Sequence, residues 1–158
     1  MKRVSRIVSG GQSGVDRAAL DFAIDHGIPY GGWCPKGGWA EDFSDPPGLL
    51  TRYPGLQETP ESDPRQRTEW NVRDSDATLI LVRHGCASPG TAFTTAAAER
   101  LSKPYLIADI DESDAAQRIV MWLENNPAIR VLNVAGPRES EAPGLCEAVR
   151  SILTALEA

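Results

Sequence analysis

Short apolar runs alternate along the chain with segments whose apolar positions recur every three or four residues, the pattern of strands interleaved with amphipathic helices. Arg6-Ile7-Val8 reads as a first strand. A glycine-rich turn follows, then a helix over about 14–26 with Ala19, Phe22 and Ala23 on one face. Gly27 is placed to stop that helix, and Pro29 follows it. Residues 28–33 form a short second strand. From Cys34 to Asp63 the chain is rich in Pro and Gly with little periodicity, which predicts a functional loop or lid with room for a short helical turn. Residues 64–75 read as a helix with Pro in its first turn. Ala77 to Val82 is apolar almost throughout, which predicts burial on both faces and a central place in a parallel sheet. Helices over 91–101 and 113–125 and strands over 104–107 and 131–135 follow. The last helix carries Leu145, Val149, Ile152, Leu153 and Leu156 as one stripe. This alternation predicts an α/β, Rossmann-like three-layer sandwich: a mostly parallel sheet of about five strands flanked by helices, in one ligand-binding domain spanning 1–158.

Composition narrows the function. The chain has 158 residues, 41% hydrophobic and 24% charged, enough for one core without disulfides or a structural metal. No apolar run approaches a membrane span, and the opening Met1-Lys2-Arg3-Val4-Ser5-Arg6 lacks the apolar stretch of a signal peptide. The net charge of -6, with scattered Lys and Arg, argues against a nucleic-acid face. Cys34, Cys86 and Cys146 form no C-x-x-C pair and read as reduced thiols of a cytoplasmic protein. With His26 and His84 they match no zinc spacing, so no protein-built metal site is expected.

The chemistry is expected in the loops beyond the carboxyl ends of the strands, where ligands of open parallel sheets sit. Four such loops each carry a cation: Arg17, Lys36, Arg83 and Arg138. Their gathering at one rim of an acidic protein suits a phosphate-bearing ligand. In the first loop Gly10, Gly11, Gln12, Ser13 and Gly14 offer amides and a hydroxyl at a helix start, with Asp16 and Arg17 beyond. The alternative is a tight turn with a capping box between Ser13 and Asp16. The run is neither a P-loop nor G-x-G-x-x-G, and no acidic residue follows the second strand, so NAD is disfavoured. Ser88, Gly90 and Thr91 open a helix as a second anion cradle, or simply as its cap. Asn133, Gly136 and Arg138 belong to the fifth strand and its loop. Trp33 and Trp39 either stack on a flat heterocycle or pack. Thr68 and Asn71 share a helical turn. No nucleophile elbow is present, no carboxylate partner of His84 is apparent, and Cys86 is an activated thiol or a packed one.

Gly10-Gly11-Gln12-Ser13-Gly14-Val15-Asp16-Arg17, Gly31-Gly32-Trp33-Cys34-Pro35-Lys36-Gly37 and Asn133-Val134-Ala135-Gly136-Pro137-Arg138-Glu139-Ser140 resemble the molybdenum carrier family. Ser88-Pro89-Gly90-Thr91 and Arg67-Thr68 with Asn71 match the same pattern. The resemblance implies a Rossmann-like carrier of the molybdenum cofactor, a molybdopterin with a phosphate tail, or of a related phosphorylated heterocycle. It also implies a homo-oligomer, with molybdoenzymes as acceptors. The related phosphoribohydrolases carry P-G-G-x-G-T-x-x-E; this chain lacks the double glycine and has Thr94 in place of the acid, and Thr cannot serve as a general acid. A nucleotide-processing enzyme would need Asp16 or Glu99 instead, and a nucleotide-ligand sensor is the third alternative.

Overall fold

A computed structural model of the chain describes residues 1, 3–84 and 88–157. Cys86, a candidate thiol in the sequence, lies outside them. The element order is β1 (Arg6–Val8), α1 (Val15–Asp25), β2 (Tyr30–Cys34), α2 (Leu49–Arg52), β3 (Leu56–Glu58), α3 (Pro64–Arg73), β4 (Ala77–Val82), α4 (Pro89–Arg100), β5 (Tyr105–Asp109), α5 (Ala115–Asn125), β6 (Val131–Ala135) and α6 (Leu145–Ala155). The strands form one parallel sheet in the order β3-β2-β1-β6-β4-β5. The fold is the expected Rossmann-like three-layer α/β sandwich, with six strands rather than about five.

The additional strand lies inside the segment that reads as a loop. Residues 34–63 hold a single 3₁₀ turn, the short α2 and the edge strand β3. Only Leu56 of β3 is buried, and Gln57 and Glu58 face solvent. A half-exposed edge strand of three residues has too little apolar alternation to be read as one. Leu56 packs with Leu20, Cys34, Ala40, Leu49 and Tyr53 in a small apolar cluster that fastens the segment to α1.

Strand alternation sets the two faces. Leu79 and Leu81 of β4, Ile7 of β1 and Leu132 and Val134 of β6 face α1, α5 and α6 in the main core. Each large side chain fully buried there contributes about 1.5–3 kcal/mol. Val72 of α3 packs with Ala97 and Ala98 of α4 over the opposite face. Because β4 is covered on both sides, its run is apolar throughout, as the sequence implies. β6 lies between β1 and β4, so the loops leaving these three strands meet at the carboxyl rim.

Candidate functional site

At that rim Gly10, Asp16, Asn133 and Gly136 meet Arg67, Thr68 and Asn71 of α3 and Gly90 and Thr94 of α4 around a recess of about 50 Å³. A wider cleft of about 360 Å³ adjoins it and adds Gln12, Ser88, Phe93 and Arg138. Arg67, Thr68, Gly90 and Gly136 line both. Two larger hollows lie elsewhere. One, of about 700 Å³, runs along the surface of α6 from Glu139 to Thr154. The other, of about 620 Å³, sits among Met1, Val120, Leu123 and Leu156 at the amino ends of the strands. Neither gathers loops from several strand ends, which is where ligands bind in this architecture.

Two glycines of the cleft are required by close approach. A Cβ on Gly136 would stand 2.3 Å from the Leu81 carbonyl oxygen and 2.6 Å from Val15 Cγ2. A Cβ on Gly10 would stand 1.8 Å from Arg67 Nη1, whose guanidinium passes over it. Arg67 Nη1 donates to Asp16 Oδ2 at 3.0 Å, and Nε donates to the Pro64 carbonyl. The two ionic side chains are 11% and 7% exposed, so the pair is held largely away from water. Burial pushes the Asp16 carboxyl above its ordinary value; Arg67 opposes this, with smaller help from the Gln12 backbone and Arg17.

The lining divides into acceptors and donors. Thr68 Oγ1 donates to the Pro64 carbonyl and Thr94 Oγ1 to the Gly90 carbonyl, so both hydroxyls turn lone pairs outward. Asn133 uses its amide nitrogen on Thr78 Oγ1, and its carbonyl oxygen has no partner among the described residues. The recess therefore adds acceptors beside the Arg67 guanidinium and the Gly90 backbone, which it shares with the cleft. The cleft donates: Pro89 has no amide hydrogen and Ser88 Oγ caps the Thr91 amide at 3.1 Å, which leaves the Gly90 amide as the open donor at the positive end of α4. Arg138 stands over the Trp39 ring at 5.7 Å, with no carboxylate within ion-pair distance among the described residues.

Other candidates from the sequence serve the scaffold. Gly11 (φ +74°) faces Leu49 and Leu56, not the cleft. Gly14 (φ +79°) lets the 137–139 backbone approach, with a Cβ position only 2.5 Å from the Pro137 carbonyl oxygen. Ser13 and Asp16 form no capping box: Gly14 is the N-cap, with no side-chain bond. The Ser13 hydroxyl instead donates to Glu41 and accepts from the Glu139 amide. Gln12 lines the cleft, but its side-chain oxygen accepts from the Ser13 and Glu41 amides. Arg17 does not reach the rim as a free cation. It makes two hydrogen bonds to Asp42, at 2.7 and 2.8 Å, and two more to the Gly11 carbonyl. Trp33 donates to Asp74 and packs edge-on against Trp70, beside a separate hollow. Lys36 is exposed on the 3₁₀ turn, outside the cleft lining. Thr91 is held by Ser88. Glu99 accepts from the Tyr105 hydroxyl on the exposed side of α4.

Three site residues have weak sequence signals. Phe93 and Thr94 sit on ordinary helical positions, and Arg67 enters the sequence reading only through the family pattern, whereas its contact with Gly10 and its ion pair with Asp16 mark it as central. Similarly, His84 does have carboxylate neighbours, Asp109 and Asp111, brought to it by β5.

A family model matches residues 7–157, nearly the whole chain. The chain belongs to the circularly permutated YpsA SLOG family. Consistent with that membership, it is 47% identical to a protein of Syntrophus aciditrophicus SB whose crystal structure is described as that of a putative molybdenum carrier protein. That likeness covers 99% of this chain and 96% of the other, with a TM-score of 0.88, so this family member and the crystal structure share the same fold throughout. No curated protein matches the chain. Among the described residues no helix is long and apolar enough to cross a membrane.

Proposed function

We propose that the protein is a carrier that holds a phosphorylated heterocycle of the molybdopterin type at the carboxyl rim of the sheet. The observation that carries this reading is the division of the lining. The Gly90 amide, Arg67 and Arg138 offer hydrogen-bond donors and positive charge for a phosphate. Thr68, Thr94 and Asn133 offer acceptors in a recess large enough for only an amino or hydroxyl group. A cleft of about 360 Å³ falls within the range of small-molecule sites. The resemblance to a putative molybdenum carrier protein supports the choice of ligand class. Delivery to molybdoenzymes and assembly into a homo-oligomer belong to the same reading, and light scattering with and without ligand tests the assembly.

The deciding experiment is calorimetric titration of the purified protein with the molybdenum cofactor and, separately, with AMP. Saturable binding of the cofactor, weakened about tenfold or more in Arg138→Ala, is expected, because one charge-assisted hydrogen bond contributes about 1.5–3 kcal/mol. Negligible heat with both ligands would remove the reading. One observation favours a second reading, a nucleotide-processing enzyme: Asp16 is a buried carboxyl with a raised pKa in the recess. Release of free base from nucleoside monophosphates, abolished in Asp16→Asn, would establish that activity in its place.

A further inference from the structure

A second cluster of chemistry lies at the same rim, at the edge of the sheet. His84 follows β4 and Asp109 ends β5, with Asp111 two residues on. Parallel pairing of these strands sets Val82 against Asp109, so the connections beyond them start side by side. His84 Nδ1 stands 4.0 Å from Asp109 Oδ2 and 3.7 Å from Asp111 Oδ2, and one ligand atom from each of the three residues lies within 4.8 Å of the others. The backbone amide of Asp111 donates to Asp109 Oδ1 at 3.0 Å, which fixes that carboxylate. Asp109 Oδ2 accepts no hydrogen bond among the described residues, although the Asp109 side chain is only 21% exposed. Arg83 Nε lies 3.3 Å from both oxygens of Asp111 and fixes the orientation of that carboxylate. The imidazole is 83% exposed and free to turn.

We propose that His84, Asp109 and Asp111 form a binding site for a divalent transition-metal ion, separate from the anion cleft. One imidazole and two carboxylates suit borderline cations such as Zn²⁺, Ni²⁺ and Co²⁺ better than Mg²⁺ or Ca²⁺, which take all-oxygen shells. Ligand bonds of about 2.0–2.2 Å need neighbouring donor atoms about 3.4 Å apart. The two imidazole–carboxylate distances reach that by closing about half an ångström as the exposed His84 ring turns, and the two carboxylates, within 4.8 Å of each other, draw together around the ion. Arg83 then acts as the outer partner that orients the Asp111 carboxylate. Water fills the remaining positions. The site goes beyond the carrier reading and needs no anionic ligand.

The test titrates the full chain with each metal ion alone. The chain holds only two histidines, so their imidazole proton signals are resolved from one another, and His26 serves as the internal control. Its Nδ1 lies 2.9 Å from the Phe22 carbonyl on the far end of α1. The expected result is saturable binding of one Ni²⁺ or Zn²⁺ per chain, with Ni²⁺ or Co²⁺ broadening the His84 signal well before that of His26. Asp109→Asn weakens binding at least tenfold at unchanged thermal midpoint, and Mg²⁺ does not compete at equal concentration. Equal broadening of both histidines overturns the proposal. So does wild-type metal affinity in Asp109→Asn, because imidazole alone or a cysteine thiol would then be the ligand.

Discussion

Replacing Arg67 with Met keeps an unbranched apolar stem of similar bulk and removes the guanidinium whose charge faces Asp16 at 3.0 Å. Both partners are nearly inaccessible, so water cannot take over neutralisation. Deleting one member of such a pair costs about 3–5 kcal/mol, because the other charge is left buried alone. Domains of this size hold about 5–15 kcal/mol in total, so the variant remains folded with a much reduced urea midpoint. The deficit also depends on pH. Burial already raises the Asp16 carboxyl from its reference value of 3.8, and Arg67 is the largest opposing influence. Its loss raises the folded-state pKa further. A carboxyl whose folded pKa exceeds its unfolded pKa binds a proton more tightly when folded. The deficit is therefore complete above the variant's folded value, shrinks as pH falls through it, and its electrostatic part is gone below the wild-type folded value, itself raised above 3.8, where Asp16 is protonated in both folded proteins. Urea unfolding of wild type and Arg67→Met from pH 4 to pH 8, subtracted at each pH, measures this directly. The double variant Asp16→Asn/Arg67→Met recovers most of the loss. A deficit under about 1 kcal/mol at pH 8, the size of an exposed pair, or one independent of pH, would refute the reasoning.

Three further outcomes follow from the packing. Gly136→Ala places a methyl group 2.3 Å from a backbone carbonyl and loses about 1–3 kcal/mol; Gly90→Ala, whose Cβ meets nothing closer than 3.8 Å, leaves stability unchanged or slightly raised in the same denaturation assay. Arg17→Met frees Asp42 and the Gly11 carbonyl and removes the guanidinium stacked 4.9 Å from the Phe43 ring; limited proteolysis then cuts within 39–48 several times faster, whereas cleavage elsewhere is unchanged. Burial pushes the Cys34 thiol up to about 11, so in the folded protein at pH 8 it resists a disulfide reagent that modifies it readily in urea, as peptide mapping would report.

Most of the architecture is legible in the order of residues, because it rests on local periodicity. The continuous apolar run of β4 and the stripe of α6 state their own burial. β3 is not legible, since one buried leucine carries it. The site divides in the same way. Glycines mark places where the backbone is approached closely, but the sequence does not say by what: an open cleft at Gly90, the Arg67 guanidinium at Gly10, leucine side chains at Gly11, another stretch of backbone at Gly14. Likewise a basic residue in a loop announces charge without its counter-charge. Arg17 is consumed by Asp42, 25 residues away, whereas Arg138 makes no direct ion pair among the described residues and acts on the Glu41 carboxylate only at longer range. Asp16 and Arg67 are 51 residues apart, and no spacing rule joins them.

The placement of β6 between β1 and β4 bears on how the chain is born. Until residues 131–135 have been made, β1 and β4 have no shared neighbour, and each presents an unpaired inner border to solvent. The sheet exists as two half-sheets until β6 emerges and slots between them, so the nascent protein exposes two sticky borders until then. A translation-arrest force profile should accordingly show its principal folding step only after β6 has cleared the exit tunnel.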